Sequence, residues 1–427
     1  MQKLSFILFL FILCINSNYG QKDEAIKIIK KLTDENFHGR GYVEKGDFKS
    51  VKFIEKEFKK IGLKPYGNFL QKFKFNVNTQ PKELELSLNN LLLKPGVEYL
   101  IDPGSPSLKG TFSTVLIQTG DLLNTNKLIT KINKSANKIL LIDTYNLSQY
   151  SKKEIEQINE VVKFLKYSDQ HSSKGSIIFS NKKLTWHGST VQNSKISFTV
   201  NKSVELSKIT SVSINNKSKL LKDYKSYNCI GHIKATHKTD STIVITAHYD
   251  HLGRMGTQTY FPGANDNASG IALLLDLAKS LQKENSFKKY NIAFIAFGGE
   301  EIGLLGSKYF TKNPLFPLKK IKILLNFDLA GTGDEGIKVV NGSVHKKEFN
   351  LLKQLNKDYN LLPDVKSRGK ACNSDHCYFD AMGIKCFYSY TLGGIKAYHD
   401  IYDKLETLPL TEFEDYSKLI QLFINHL

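Results

Sequence analysis

Apolar positions follow two different rhythms along this chain. Near the N-terminus they recur at helical spacing: Ala25, Ile26, Ile28, Ile29 and Leu32 form one stripe, and Val51, Phe53, Ile54, Phe58 and Ile61 form another. The joint between them, His38-Gly39-Arg40-Gly41, carries turn residues. From about 86 to 220 the texture changes to short β-type runs such as Phe112 to Gln118, Lys138 to Asp143 and Ser176 to Ser180, separated by Asn, Ser, Gly and Lys. From about 226 onward, apolar strands alternate with helical patterns: Ser241 to Ala247, Gly270 to Leu281, Asn291 to Phe297, Ile321 to Asn326, Lys347 to Leu355 and Ile384 to Tyr390. Near-continuous apolar strands set between helices predict an α/β domain with a buried, mostly parallel central sheet. Residues 21–85 then open the main domain, 86–220 form a β-rich insertion, and 221–427 complete the main domain.

Residues 1–20 stand apart from this pattern. Met1-Gln2-Lys3 is a short positive start, the run Leu4 to Ile15 is apolar, and Gly20 supplies a small residue before Gln21. That run fits the core of an export signal and is too short to span a bilayer. The residue before Cys14 is Leu13, which argues against lipid attachment there. No later stretch has the length and apolarity of a membrane helix, so the expectation is a periplasmic or secreted protein without stable membrane insertion. Four cysteines follow the signal, too few for a disulfide scaffold; Cys372 and Cys377 are spaced either to close a local loop or to remain free.

Composition narrows the choice of partner. The chain has 427 residues, 41% of them hydrophobic and 24% charged, which excludes intrinsic disorder. Its formal net charge is +19, and +14 of this falls in 21–220. Only Arg40, Arg254 and Arg368 are arginines. Base-edge and phosphate recognition leans on the guanidinium fork, so nucleic acid is excluded as the partner and the lysines read as a solvated surface.

The residues able to do chemistry cluster after the strands of the last part, where ligands bind in open α/β sheets. Strand Ser241 to Ala247 runs into His248-Tyr249-Asp250-His251, and His248 and Asp250, two apart, share a face in extended chain. One can bind a metal while the other orients it. The polar loop Gly263 to Gly270 offers Asp266, strand Asn291 to Phe297 runs into Gly298-Gly299-Glu300-Glu301, and strand Ile321 to Asn326 runs into Phe327-Asp328. Tyr398-His399-Asp400 lies before the last helical pattern. Each feature alone is ordinary. Carboxylates after three apolar strands or turns, with His at two further points, are costly to bury unless paired or metal-bound. His248, Asp266, Glu301, Asp328 and His399 form the N/O donor set suited to zinc, with manganese or cobalt as alternatives. Five donors exceed what one open catalytic zinc takes, and a bridging Asp266 would give each of two ions its own ligands. Glu300, beside a ligand, is then free to act as general acid/base. The stretch 86–220 contains no cluster of His, Cys and acidic residues, and no chemistry is assigned to it.

The order His-x-Asp, Asn-Asp-x-Ala-Ser-Gly, Gly-Glu-Glu, Phe-Asp and Tyr-His resembles the M28 family of zinc aminopeptidases. The resemblance runs strongly over about 225–427 and moderately over 21–80, and implies a three-layer zinc-peptidase domain. It implies that His248 and Asp328 hold one of two zinc ions, that Glu301 and His399 hold the other, and that Asp266 bridges them. It further implies that Glu300 is the general acid/base for a hydroxide activated by both ions, and that Asp250 is the outer partner of His248. Ser374-Asp375-His376 matches a family segment on the substrate side, which makes Asp375 and His376 substrate-side residues. The family's usual Tyr-Gly or Phe-Gly before the last ligand is replaced by Tyr388-Ser389-Tyr390-Thr391-Leu392-Gly393-Gly394, which leaves open which tyrosine, if either, polarises the scissile carbonyl; Tyr390 is the candidate, against the alternative of an ordinary strand aromatic. The insertion resembles a protease-associated domain in texture and position. The function implied is removal of the N-terminal residue from peptides. The alternatives are a glutaminyl cyclase, a carboxypeptidase of the same family, and a binding protein on a degenerate peptidase fold. Chains of the last kind lose ligands, whereas this one keeps all five and Glu300.

Overall fold

Strand Thr242–His248 is buried at every residue and lies in the middle of an eight-stranded sheet. A strand covered on both faces can be apolar throughout, which is why this segment and Asn291–Phe297 show no alternation in sequence. In the computed structural model, which describes residues 20–284 and 288–427, the sheet order from one edge is Leu70–Thr79, Lys219–Ile233, Asn291–Phe297, Thr242–His248, Ile321–Phe327, Cys386–Thr391, Ile337–Val340 and Val365–Ser367. The export segment read at Leu4 to Ile15 lies outside the described residues. Pairing is parallel from Asn291–Phe297 through to Cys386–Thr391 and antiparallel at both flanks of that block, so the sheet is mixed around a parallel centre. Among the described residues, no helix is long and apolar enough to cross a membrane.

Helices 20–32, Gly46–Ile61, Gly270–Lys283 and Phe413–His426 contribute Ile29, Ile54, Leu274 and Phe423 to one core cluster with the sheet residues Ile245 and Phe294. Phe310 and Phe379, from the short helices Leu305–Lys312 and Cys377–Ala381, pack with Val244 and Ile295, which point to the other face. Alternate residues of one strand thus feed two cores, the period-two rule of a sheet covered on both sides.

A second eight-stranded sheet is built from residues 84 to 216. Four of its strands, Leu108–Ile117, Ile139–Asp143, Gly175–Phe179 and Ile196–Val200, pair in parallel. Helices Thr125–Asn133 and Lys152–Tyr167 cover one face, with Leu128, Ile132, Ile158 and Leu165 against Leu140 and Ile142. The core on its other face is completed from outside: Leu252, Met255 and Phe261 of the main domain pack among Leu86, Tyr99, Phe198 and Trp186. Trp186 stacks on Phe261 with ring centroids 4.9 Å apart. The loop that carries Leu252 to Phe261 runs between His251 and Asp266, so this packing reaches the candidate chemistry directly.

The N-terminal helices are tied to the sheet by a buried carboxyl. Asp47, in the first turn of Gly46–Ile61, accepts hydrogen bonds from the hydroxyls of Tyr224 and Ser226 on strand Lys219–Ile233. Burial raises its pKa to about 7, with the two hydroxyls opposing the shift. The unfolded value is about 3.9, so between these two pH values the folded state keeps a proton that the unfolded chain releases. Asp47 therefore costs stability progressively as pH rises from about 4 to about 7. Asp47→Asn is expected to gain stability relative to the parent over that interval, read from urea midpoints at successive pH values. A difference between the two proteins that stays constant with pH would refute the assignment.

Candidate metal centre

The five proposed ligands converge from separate segments onto one cavity of about 410 Å³, which Glu300, Leu329, Arg368, Asn373, Tyr388, Tyr390, Tyr398 and His187 also line. Asp266 is central. One of its oxygens, Oδ1, lies 3.4 Å from His248 Nε2, and the other, Oδ2, lies 3.1 Å from His399 Nε2. Asp328 Oδ2 is 3.4 Å from the same His248 nitrogen, and Glu301 Oε2 is 3.2 Å from the same His399 nitrogen. Two groups of donors are therefore joined by a single carboxylate with one oxygen turned to each.

The sequence around Asp266 explains how it is held. The wide turn Ala264–Ser269 leads into helix Gly270–Lys283, and its polar residues are all engaged. Asn267 donates to the Phe327 carbonyl and accepts from Gly270 N–H; Ser269 Oγ and Asn265 Oδ1 accept from the N–H groups of Ala330 and Gly331. Asn265, Asn267 and Ser269 thereby lock the turn to the segment following Asp328. A Cβ at Gly270 would lie 2.1 Å from Asn267 Oδ1, so a larger residue would have to push the Asn267 side chain out of these hydrogen bonds. Asp403 accepts from the N–H groups of Asn265 and Asp266 at 2.8 and 2.9 Å, fixing the backbone that carries the Asp266 carboxylate.

Arg40 supplies the main buried positive charge. Its side chain is wholly buried and donates to the carbonyls of Leu32, Tyr249, Pro262, Gly263 and Asp266. Burial lowers its pKa to about 10, against the attraction of Asp266, Asp403, Glu301 and Asp250, so it stays charged at neutral pH. The planar fork with five N–H donors is matched here by five carbonyls, which no other side chain can do.

Asp250 takes a different place from the one expected. His248 Nδ1 meets the main-chain carbonyl of Asp250 at 3.1 Å, not its carboxylate. The carboxylate instead accepts from Tyr42 OH at 2.9 Å and from the N–H groups of Glu300 and Glu301 at 3.1 and 3.4 Å. Asp250 so orients His248 with its backbone and the two glutamates with its side chain. Tyr390 lines the cavity, with Arg368 Nη1 3.4 Å from its hydroxyl. Asp375 and His376 do not line it: both are fully buried, and His376 stacks on Tyr388 while donating to the Ala371 carbonyl at 2.7 Å. The segment that carries them is closed by a Cys372–Cys377 disulfide.

Two adjacent glutamates are driven apart electrostatically. Burial, reinforced by Glu301, Asp375 and Asp328 and opposed by His248, holds Glu300 well above the ordinary carboxylate range. Burial acts on Glu301 too, but the charges and hydrogen bonds of His399 and His251 outweigh it and hold Glu301 well below that range. Burial opposes protonation of His399, yet Glu301 and Asp266 carry its pKa up to about 11; His248 is raised likewise by Glu300 and Asp328. Imidazoles with such an affinity for protons sit where a cation is favoured.

Several residues escaped the sequence reading. His251 is fully buried, and its Nδ1 donates to Glu301 Oε1 at 2.6 Å. Its only sequence signal was proximity to His248. Arg40 and Asp403 carried no signal of their role, because their partners are main-chain groups distant in sequence. His187 comes from the stretch to which no chemistry was assigned, and its Nδ1 lies 3.2 Å from His399 Nδ1.

Residues 228–424 match the model described as Peptidase family M28. This segment belongs to peptidase family M28. All five proposed ligands and Glu300 lie inside the M28 segment, whereas Arg40, Tyr42 and His187 lie outside it. Aminopeptidase YwaD of Bacillus subtilis strain 168 is 38% identical over 121 residues, covering 28% of this chain and 25% of that protein. A probable leucine aminopeptidase of Arthroderma otae is 29% identical over 168 residues, covering 37% of this chain and 44% of that one. The chain thus spans less than half the length of these curated relatives in the matched regions. The solved structure of BSAP, a zinc aminopeptidase from Bacillus subtilis, matches with a TM-score of 0.69 at 21% identity over 95% of this chain and 94% of that chain. That likeness is one of fold, and at such coverage it extends beyond the M28 segment into the second domain.

Replacing Arg40 by Met removes the side-chain donor from five buried carbonyls, of which Gly263's keeps the Ala268 N–H; at about 1–3 kcal/mol for each buried group left unpaired, a loss of at least about 3 kcal/mol in unfolding free energy is expected. Arg40→Lys, with fewer donors, should restore only part of it. Chemical denaturation checks both, and a loss below about 1 kcal/mol for Arg40→Met would remove Arg40 from its central place.

Proposed function

We propose that the protein is a zinc-dependent aminopeptidase that removes the N-terminal residue of peptides with two zinc ions. The observation that carries this reading is Asp266, whose two oxygens face two different imidazoles, each joined by one further carboxylate. The donor set suits zinc: borderline imidazole nitrogens and hard carboxylate oxygens. Asp328 Oδ1 is buried without a hydrogen-bond partner, which a cation would relieve. His248 and Asp328 would hold one ion, His399 and Glu301 the other, and Asp266 both. When bound, the ions would supply a Lewis acid for the scissile carbonyl and lower the pKa of water toward neutrality.

The rest is done by the chain. Glu300 is held above the usual carboxylate range, so it can take a proton from the attacking water and retain it until the leaving amine forms. Asp250 fixes the turn on which Glu300 sits, and the excess of carboxylates favours a substrate that enters with a free ammonium group. Tyr390 and Tyr398 form cavity wall, and Tyr390 is the candidate for a hydrogen bond to the substrate carbonyl. A Cys372–Cys377 disulfide supports the further reading that the protein is exported, since such bonds persist in oxidising compartments.

Glu300→Gln is expected to lower turnover of an aminoacyl-anilide by about 10²–10⁴-fold while zinc content stays that of the parent. Near-normal turnover would dismiss Glu300 as the base. Asp266→Ala should lose the paired ions, measured as zinc per chain after dialysis, and unchanged stoichiometry would end the bridging role. The decisive assay compares amino-acid anilides, N-blocked peptides and N-terminal glutaminyl peptides, with and without chelator. Chelator-sensitive cleavage restricted to free amines supports the aminopeptidase. Cleavage of blocked peptides from the carboxyl end, or ring closure without cleavage, would replace that reading with another.

A further inference from the structure

The second domain grips the loop that carries His399. Its segment 183–188 makes five polar contacts with residues 396–400, all on one side of the cavity. Lys183 Nζ donates to the carbonyls of Lys396 and Tyr398 at 2.7 and 3.2 Å and pairs with Asp400 Oδ2 at 2.7 Å. Trp186 N–H donates to the His399 carbonyl at 2.8 Å. His187 Nδ1 then meets His399 Nδ1 at 3.2 Å, with the rings edge to face and centroids 4.9 Å apart. His399 has φ 53°, a left-handed conformation that a non-glycine residue keeps only when its surroundings impose it. On the other side of the same donor group, a Cβ at Gly188 would lie 2.1 Å from Ile302 Cγ2, next to Glu301.

We infer that His187 is a positioning residue for His399, so that the second domain completes the half of the metal centre formed by His399 and Glu301. The inference rests on the two-ion reading above. His399 Nε2 faces Asp266 and Glu301 and must present a lone pair to a cation, which leaves the ring proton on Nδ1. Nδ1–H then donates to His187 Nδ1, which accepts as the neutral tautomer protonated at Nε2. This is the outer-ligand arrangement that fixes ring orientation and tautomer in metal-bound histidines, with an imidazole in place of the more common carboxylate or carbonyl. Nothing comparable reaches from the second domain to the other imidazole: His248 Nδ1 is held by the Asp250 carbonyl of its own domain. The two halves of the site therefore differ in what supports them.

The test is zinc titration of the purified full chain against a chelator of known affinity, followed by metal analysis, with kcat and KM measured on the same samples. In His187→Ala, one ion is expected to bind as in the parent and the other about 10–100-fold more weakly. His187→Gln, whose amide oxygen can accept the same hydrogen bond, should recover most of that loss, which a merely steric role would not allow. Lys183→Met, which frees the loop without touching the imidazole pair, should weaken the same ion. Melting curves with and without zinc verify that each variant folds. Two ions held by His187→Ala within about threefold of the parent affinities would overturn the inference and leave the two-ion reading standing. A parent protein that binds no second ion would overturn both.

Discussion

Carboxyl groups that would repel one another are packed into one largely buried region, and much of the structure answers that constraint. Asp250, Asp266, Asp328 and Asp375 are buried, and the side chains of Glu300 and Glu301 enter the same space. Like charges so confined in a low-dielectric interior cannot all stay ionised without compensation. The fold compensates in three ways. Arg40 places a permanent charge behind Asp266, main-chain N–H groups satisfy Asp403 and Asp250, and imidazoles line the side that faces the cavity. What the protein leaves uncompensated lies at the cavity, where cations and substrate have access.

Different compensation for adjacent residues gives them different chemistry. Glu301 has His251 and His399 and is held well below the ordinary carboxylate range; Glu300 has mostly carboxylates around it and holds its proton more tightly, the division that the proposed roles of ligand and proton carrier call for. Separating the proton affinities of two neighbouring carboxyl groups is how acid and base roles are divided in many active sites. The separation depends on the turn that directs the two side chains apart. That turn is fixed by Asp250, itself held by Tyr42 from the N-terminal segment. A hydroxyl more than two hundred residues away in sequence thus helps hold the turn on which the two glutamates part.

The convergence of His248, Asp266, Glu301, Asp328 and His399 on one cavity was legible in the sequence because each follows an apolar strand or a turn motif, where a polar residue has few structural excuses. The parallel centre of the sheet was legible for a related reason: strands covered on both faces lose their alternation. What could not be read depends on contacts between distant segments. Arg40 bonds to carbonyls, and a carbonyl leaves no mark on residue type. Asp403 bonds to N–H groups in the same silent way. Helix Lys152–Tyr167 did carry a signal, since Ser151 and Glu154 form a capping box at its start, but a stretch read for short β runs obscured it. Asp375 and His376 matched a substrate-side motif, yet their complete burial shows that position in a motif does not give exposure.

The same distinction bears on what the second domain is for. An accessory module hung on a catalytic core would meet it through solvated contacts and leave the core's packing self-sufficient. Here neither side is self-sufficient. Leu252, Met255 and Phe261 belong to the chain between His251 and Asp266, and they complete a hydrophobic core whose other members lie in 84–216. In return, segment 183–188 holds the loop of His399. Apolar packing sets how closely the domains approach, and the polar contacts of Lys183, Trp186 and His187 convert that approach into a fixed imidazole. Neither interaction alone would suffice: packing without the hydrogen bonds leaves the ring free to turn, and hydrogen bonds at a half-exposed rim are weak unless a buried anchor such as Trp186 on Phe261 fixes their ends. The second domain is on this argument part of the site's wall and of its ligand support, and its lysine-rich surface is a separate matter of solvation.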